Sequence, residues 1–417
     1  VLNVVVVEGR YGEVSIAGDN ARHAREAEAF LGNLTTGDLI RARPLERTTL
    51  LLEDLPGIRV LPVLQPGEAV GTGNLALVIQ PGQTMRGTVS LDNHGNRYTG
   101  YERGQVGLTL DSPFRLGDQV TINALYTDEK LGLGNLGYSR PLGGNGLRVN
   151  SSYTYTEYRL GREFAGLGSG HARVYSLGLS YPLVRTQQTN VTLTANAQYK
   201  DLYNDRLEST LIEDYSSVVF PMSVQFDHRD EWIAGGVTFG SLGINPGRLR
   251  LSGSMREVDA LGTDGSFTVM NLDLARLQVL TRSLTVYGRL SAQWSAGNLD
   301  SSEGISLGGA DRVRAYPTSE ASGDRGGYAQ LELRHTTGAV SPYLFVDAGW
   351  VEFDVDAPDD AEETDRDLSG YGFGARVQQQ EGLNFNAAVA FRLAGGAPRS
   401  DARDRDPVAW FSAGFRF

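Results

Sequence analysis

A guanidinium and a carboxylate are the groups in this chain best placed to do chemistry. Arg314 lies in Val313-Arg314-Ala315-Tyr316-Pro317, within a glycine-rich cationic segment, 308–335. Asp347 lies in Phe345-Val346-Asp347-Ala348-Gly349, where Leu344, Val346, Ala348 and Trp350 recur at every second position. Successive side chains of a strand point to opposite faces, so Phe345 and Asp347 share the face that is not apolar. A carboxylate there calls for a cation. Without a partner motif, the same residues read as an exposed loop arginine and an ordinary carboxylate. The chemistry on offer is charge pairing, and catalysis finds little support. The five histidines, at 23, 94, 171, 228 and 335, form no H-E-x-x-H, and the chain carries no nucleophile elbow or P-loop. The absence of cysteine excludes disulfides, thiol catalysis and Cys-based zinc sites. The acidic run Asp359, Asp360, Glu362, Glu363, Asp365 and Asp367 reads as a solvated loop rather than a divalent-cation site. The expectation is a protein that is not an enzyme and uses no cofactor or metal. A net charge of -12 argues against a nucleic-acid partner.

The positioning elements are strands. Leu284, Val286, Leu290, Ala292 and Trp294 alternate with Thr285, Tyr287, Arg289, Ser291 and Gln293 before the cationic segment. Ala329, Leu331 and Leu333 alternate with Gln330, Glu332 and Arg334 at its end. At 417 residues the chain exceeds one ordinary globular domain, for which a large barrel is the main exception. Its 52 glycines against 15 prolines, with 18 tyrosines and 15 phenylalanines, suit many strands joined by tight turns. No run approaches the roughly 18 apolar residues of a spanning helix. Mean hydropathy of -0.26 reads as soluble, but averaging hides the apolar half of an alternating strand.

From Thr84 onward short turns are expected at 112–117, 141–146, 183–188, 228–231, 280–283, 337–340 and 380–382. Longer loops are expected at 93–99, 128–132, 161–170, 202–213, 246–265, 298–325, 354–368 and 394–405. Short turns at one end and long loops at the other are the pattern of outer-membrane barrels, and these connections join 16 strands. A soluble β-sandwich also alternates but rarely sustains such asymmetry. The last strand puts Ala409, Phe411, Ala413, Phe415 and Phe417 on one face and Trp410, Ser412, Gly414 and Arg416 on the other. Residues 1–80 read differently. Strands are expected at 4–8, 14–17, 58–64 and 74–80, a turn at 9–12, and helices at 21–31 and 36–55, in the order β-α-α-β-β.

The Val313 to Pro317 run resembles the V-R-G-Y loop motif of the TpsB transporters of two-partner secretion, with Ala315 in place of glycine. Phe345, Asp347 and Gly349 match that family's F-x-D wall motif, and Asp92-Asn93-His94-Gly95 with Thr99-Gly100 is similar to its first strand and loop. Phe417 resembles the C-terminal aromatic assembly signal of outer-membrane barrels. The resemblance implies a membrane all-β fold, a 16-stranded antiparallel transmembrane β-barrel (81–417) with a lumen-inserted loop at about 298–325, preceded by an α+β POTRA domain (1–80) in the periplasm. It implies that Arg314 folds into the lumen and pairs with Asp347. The implied function is ATP-independent export of a large β-helical adhesin, haemolysin or contact-dependent toxin, a secreted exoprotein with an N-terminal secretion domain. Outer-membrane lipid and lipopolysaccharide would surround a monomer. The alternatives are a barrel assembly factor and a diffusion porin. No leader is read at Val1 and one module precedes Thr84, so a mature or truncated form is expected. It would either start at a second POTRA module, as a strand beginning near Val1 favours, or be a single-module variant.

Overall fold

The computed structural model describes residues 8–18, 20–206, 212–356, 363–379 and 382–417. The strand expected at 4–7, the tip of the 202–213 loop, Asp359, Asp360 and Glu362 of the acidic run, and Gln380 in the last short turn lie outside the described residues.

Among the first described residues, those from 10 to 81 form an α+β module. Its elements are β1 (Arg10–Gly18), α1 (Ala21–Ala27), a 3-10 helix (Glu28–Asn33), α2 (Ala42–Glu53), β2 (Ile58–Pro66) and β3 (Thr72–Pro81). The sheet order is β1-β3-β2, with β1 parallel and β2 antiparallel to β3. Asn20 caps α1 by accepting the N–H groups of Arg22 and His23 on its side chain. Alternation along β3 buries Leu75, Leu77 and Ile79 against Leu51, Leu52 and Leu55 of the α2 end and Phe30 of the 3-10 helix.

Two local expectations are corrected here. Residues 10–12, expected to turn, begin β1, because the ring of Tyr11 is buried in the module core. The second helix starts at Ala42 rather than near Thr36. The segment before it runs beside β1, with Tyr11 N–H donating to the Asp38 carbonyl and Ile40 N–H to that of Gly9, both at 2.9 Å. Pro44 falls in the first helical turn, where its missing N–H costs no intrahelical bond.

A closed antiparallel barrel follows. Its first strands are β4 (Met85–Asp92), β5 (Arg103–Asp111), β6 (Gln119–Thr127), β7 (Gly132–Pro141), β8 (Arg148–Arg159), β9 (Gly168–Arg185) and β10 (Thr189–Arg206). β11 (Ile212–Val219) and β12 (Met222–Asp230) both pair with β10 and with β13 (Gly236–Leu251), so they form one wall strand interrupted at Phe220-Pro221. β14 (Gly265–Val279) and β15 (Leu284–Ser295) lead to the long loop, which holds the two-residue ladder β16 (Ile305–Ser306) and β17 (Ser322–Gly323). β18 (Arg325–His335), β19 (Val340–Glu352), β20 (Asp365–Gln378), β21 (Leu383–Ala394) and β22 (Val408–Arg416) complete the wall. Sixteen wall strands result, closed by β22 against β4. The loop expected from 246 starts after Leu251, because Leu249 and Leu251 continue the ladder and bury against Tyr215.

Leu290, Trp294, Leu331, Leu344, Val346, Trp350, Phe373 and Phe411 project outward and stay exposed. Polar side chains of the same strands turn inward. An apolar outer belt on a closed sheet is the arrangement that a bilayer selects, since closure leaves no free sheet edge in the hydrocarbon.

The module sits on the short turns at one end of the barrel. Asp54, beyond α2, receives the Arg185 guanidinium in two bonds of 2.7 Å. Arg47 donates to the Pro182 carbonyl at 2.7 Å, and Ser112 Oγ to that of Pro56 at 2.6 Å. Leu116 of the first turn is buried in the module's own core. Gly117 beside it has φ +77°, and a Cβ there would meet Leu55 Cδ2 at 2.6 Å, so this contact needs glycine twice over.

Candidate functional site

Antiparallel register sets the inner surface of the wall across β18, β19 and β20. Gln330, Asp347 and Gly370 form one inward row, Glu332, Phe345 and Gly372 the next, and Arg334, Tyr343 and Gly374 the third. A charged strand, a mixed strand and a trough of glycines therefore lie side by side, continued by the buried Ala388 and Ala390 of β21.

The long loop lies in that trough. Arg314 Nε and Nη2 donate to the two oxygens of Asp347 at 2.8 and 2.7 Å, and Arg314 backbone N–H adds a third bond at 3.1 Å. Arg314 Nη1 donates to Glu332 Oε1 at 2.5 Å. The guanidinium carbon stands 3.6 Å from the Phe345 ring centroid, and Trp410 Nε1 donates to the Arg314 carbonyl at 2.7 Å. Glu332 also receives Arg334 at 2.7 Å and Arg376 at 3.1 Å. Arg314 and Glu332 each keep 4% of their side-chain surface, and Asp347 keeps none.

Apolar packing surrounds the pair. Ile305, Leu307, Val313, Ala315 and Tyr316 of the loop bury against Tyr328, Tyr343, Phe345, Val351, Leu368 and Trp410 of the wall. Full burial of a side chain the size of Leu307 or Val313 contributes about 1.5–3 kcal/mol. A buried ion pair contributes little net stability beyond a well-packed apolar substitute. The apolar side chains therefore hold the loop inside, and the ion pair selects its register.

Each residue singled out from the sequence has a definite place. Val313 and Tyr316 are fully buried, and the Tyr316 hydroxyl donates to the carbonyls of Ala394 at 2.8 Å and Gly396 at 3.1 Å. Ala315 is absent from the residues with positive φ, so the glycine of the related motif is not required by the backbone here. The Pro317 carbonyl turns back to accept Glu320 N–H at 3.2 Å. Gly349 faces the loop, where a Cβ would meet Leu307 Cδ2 at 3.1 Å. Phe417 lies apart from this cluster. Its backbone exchanges two hydrogen bonds with Gly87 across the β22–β4 seam, and its ring is exposed on the outer face.

Sequence reasoning missed Glu332, Trp410, Glu320 and Lys200. Glu320 is fully buried and takes Arg366, the Ser400 hydroxyl, and the N–H groups of Arg399 at 2.7 Å and Ser400 at 2.9 Å. Glu303 reaches Lys200 on β10 at 2.6 Å, which ties the loop to a second sector of the wall. The inward phase of Glu332 and Trp410 was readable from alternation, but their partners were not. Of the acidic run, Glu363 pairs with Arg399.

Close approach at the trough gives a first expectation. A Cβ on Gly370 would lie 2.3 Å from Ala315 Cβ, so Gly370→Val should lift the loop while keeping a good strand residue in β20. Overpacking of this kind costs about 1–3 kcal/mol. Protease cleavage within 296–324 should rise in this variant and stay at the wild-type level in Gly134→Val, where a Cβ meets open space. Equal cleavage in all three proteins would refute the close packing.

Two buried carboxylates of the loop titrate in opposite senses. Burial pushes Asp324 up to about 6, helped by Asp354 and Glu352 and opposed by N–H bonds from Val355 and Leu299. Burial also works to raise Glu320, but Ser400, the Arg399 and Ser400 N–H groups and Arg366 outweigh it and hold the carboxyl below its usual range. A raised folded pKa means that the Asp324 contribution is complete below about pH 4 and is lost as pH rises through about 6. That of Glu320 is complete above its ordinary range and is lost only as pH falls below it, so it stays constant from about pH 5 to about pH 7.5. Amide exchange at Leu299 and Val355, corrected for intrinsic rate, should be slower at the lower of those pH values. Asp324→Asn should remove the difference, and equal protection in the wild type at both would contradict the assignment.

The pattern of the family described as haemolysin secretion/activation protein ShlB/FhaC/HecB matches residues 71–377. The heme/hemopexin transporter protein HuxB of Haemophilus influenzae strain 86-028NP is 25% identical over 404 residues, 94% of this chain and 70% of the relative. The outer membrane transporter CdiB of Dickeya dadantii strain 3937 is 26% identical over 346 residues, 80% of this chain and 60% of the relative. The solved structure of CdiB from Escherichia coli superposes with a TM-score of 0.80 at 20% identity, covering 99% of this chain and 77% of that one. The last likeness carries the fold, and the chain spans 60% to 70% of the length of these two curated relatives.

Proposed function

The chain belongs to the haemolysin secretion/activation family ShlB/FhaC/HecB, a protein-transporter family, and from this premise we propose that it is the outer-membrane transporter of a two-partner secretion system. Its cargo is a large β-helical exoprotein with an N-terminal secretion domain, of the adhesin, haemolysin or contact-dependent toxin kind. The observation that carries the reading is the loop at 296–324, seated inside the barrel by an ion pair and an apolar cluster. A free-diffusion porin has no use for a buried hydrophobic core inside its lumen. A transporter does, because such a plug closes the path at rest and yields as a unit when the cargo enters.

The α+β module takes the role of a POTRA domain in the periplasm. β2 is an edge strand of the module sheet, with Leu61 and Leu64 exposed on it. An extended segment of the cargo would add to that edge or lie along the groove towards α2. The cargo then threads the lumen and folds outside the cell, and surface folding draws it outward without a nucleotide. The barrel works as a monomer surrounded by outer-membrane lipid and lipopolysaccharide.

Export of a candidate partner exoprotein tests this directly, in cells with the wild-type protein, the Arg314→Ala variant or no transporter, at matched barrel abundance. Export should need the protein and fall in the variant. Equal export of an established partner without the protein would refute the assignment for that partner. Broad loss of other barrels would point instead to an assembly factor, and altered small-solute uptake alone to a porin.

A further inference from the structure

We propose that the pocket occupied by Arg314 is a guanidinium-binding site in its own right, and that it takes arginine side chains of the passing cargo once the loop has left it. The identity of the cargo rests on the transport reading above, whereas the site itself rests on geometry alone.

The pocket recognises every part of a guanidinium. Asp347 meets one edge of the plane through two nearly equal bonds, at Nε and Nη2. Glu332 meets the remaining nitrogen, and Phe345 covers the flat face. A forked planar cation satisfies all three walls, whereas an ammonium is a point charge that can bond one carboxylate edge but cannot stack or bridge in this way.

Departure of the loop affects the two carboxylates unequally. Glu332 keeps Arg334 and Arg376, so its charge stays compensated. Among the described residues, Arg314 is the cation paired with Asp347, which has no exposed side-chain surface. Loop release therefore uncovers Asp347 and leaves it without its cation, in a site shaped for a planar one. Arg314 and Glu332 border a cavity of about 500 Å³ that is also lined by Tyr287, Tyr343, Arg334 and Arg376, the last two already held by Glu332; Asp347 and Phe345 do not line it, so departure of the loop is what uncovers them. An extended cargo chain in that space would offer its arginines in turn, each displaced by the next, and would hold the loop out while it passes.

The test uses free L-arginine against L-lysine as probes. In the purified Arg314→Ala variant, L-arginine should give a saturable rise in unfolding temperature that L-lysine does not give and that Arg314→Ala/Asp347→Asn lacks. In planar bilayers, L-arginine added to the wild-type barrel should raise the open fraction of the channel by competing with Arg314, and L-lysine should leave it unchanged. Identical responses to the two amino acids, or none, would overturn the site while leaving the transporter assignment untouched. If the site stands, changing every arginine of the cargo's secretion domain to lysine should slow export. Unchanged export would overturn the role in transit.

Discussion

Replacing Asp347 by alanine is expected to release the 296–324 loop from the wall while the barrel stays closed. The substitution removes the partner of three hydrogen bonds from Arg314 and leaves a guanidinium with 4% exposure beside Glu332 alone. Breaking a buried pair by removing one partner costs about 3–5 kcal/mol, because the surviving charge has lost both water and partner. At 1.4 kcal/mol per tenfold, the equilibrium constant for the seated loop falls on the order of a hundredfold or more. Protease cleavage within the loop and single-channel conductance should both rise, and export should fall. Wild-type values for all three would remove the ion pair from the mechanism. The reciprocal exchange Arg314→Asp with Asp347→Arg should restore export only in part. The new carboxylate at 314 would face Glu332, a neighbour that a two-residue scheme leaves out.

Glu332→Gln is expected to do greater damage to the barrel itself. Glu332 is the common acceptor for Arg314, Arg334 and Arg376, and it retains 4% side-chain exposure. Its neutralisation brings three guanidiniums together around one amide, with only Asp347 left to balance Arg314. The penalty exceeds that of a single broken pair, about 3–5 kcal/mol, and falls on the β18–β20 wall as well as on the loop. The temperature at which the folded barrel loses its compact gel mobility should drop clearly in Glu332→Gln and little in Asp347→Ala. Adding Arg376→Gln to Glu332→Gln removes one of the crowded cations and should recover part of the loss, the coupling expected of groups in one network. Additive losses would show that Glu332 does not act as the hub.

The barrel was legible because period-two alternation is written into each strand and survives whatever it pairs with. Leu344, Val346 and Trp350 marked the outer face of β19, and this alone placed Asp347 inside. Chain reversals were legible for a similar reason, since turns recruit glycine and small polar residues locally. Within the module, local signals misled where pairing overrode them. Residues 38–40 carry a helical pattern and lie along β1, and residues 10–12 carry turn residues and form strand.

By itself, then, the sequence determined the strand faces, the order of turns and loops, and the two motifs that hold Arg314 and Asp347. Only the tertiary structure decided what those residues meet. Register across β18–β20 placed Glu332 one row from Asp347, and the ladder on through β21 to β22 carried Trp410 to the Arg314 carbonyl. The glycines of β20 became a trough only because the loop came to rest on them. The physical reason is the range of the forces. Alternation and turn chemistry act between neighbours in the chain, whereas an ion-pair network of five side chains depends on the register of three strands and on a loop folded back onto them.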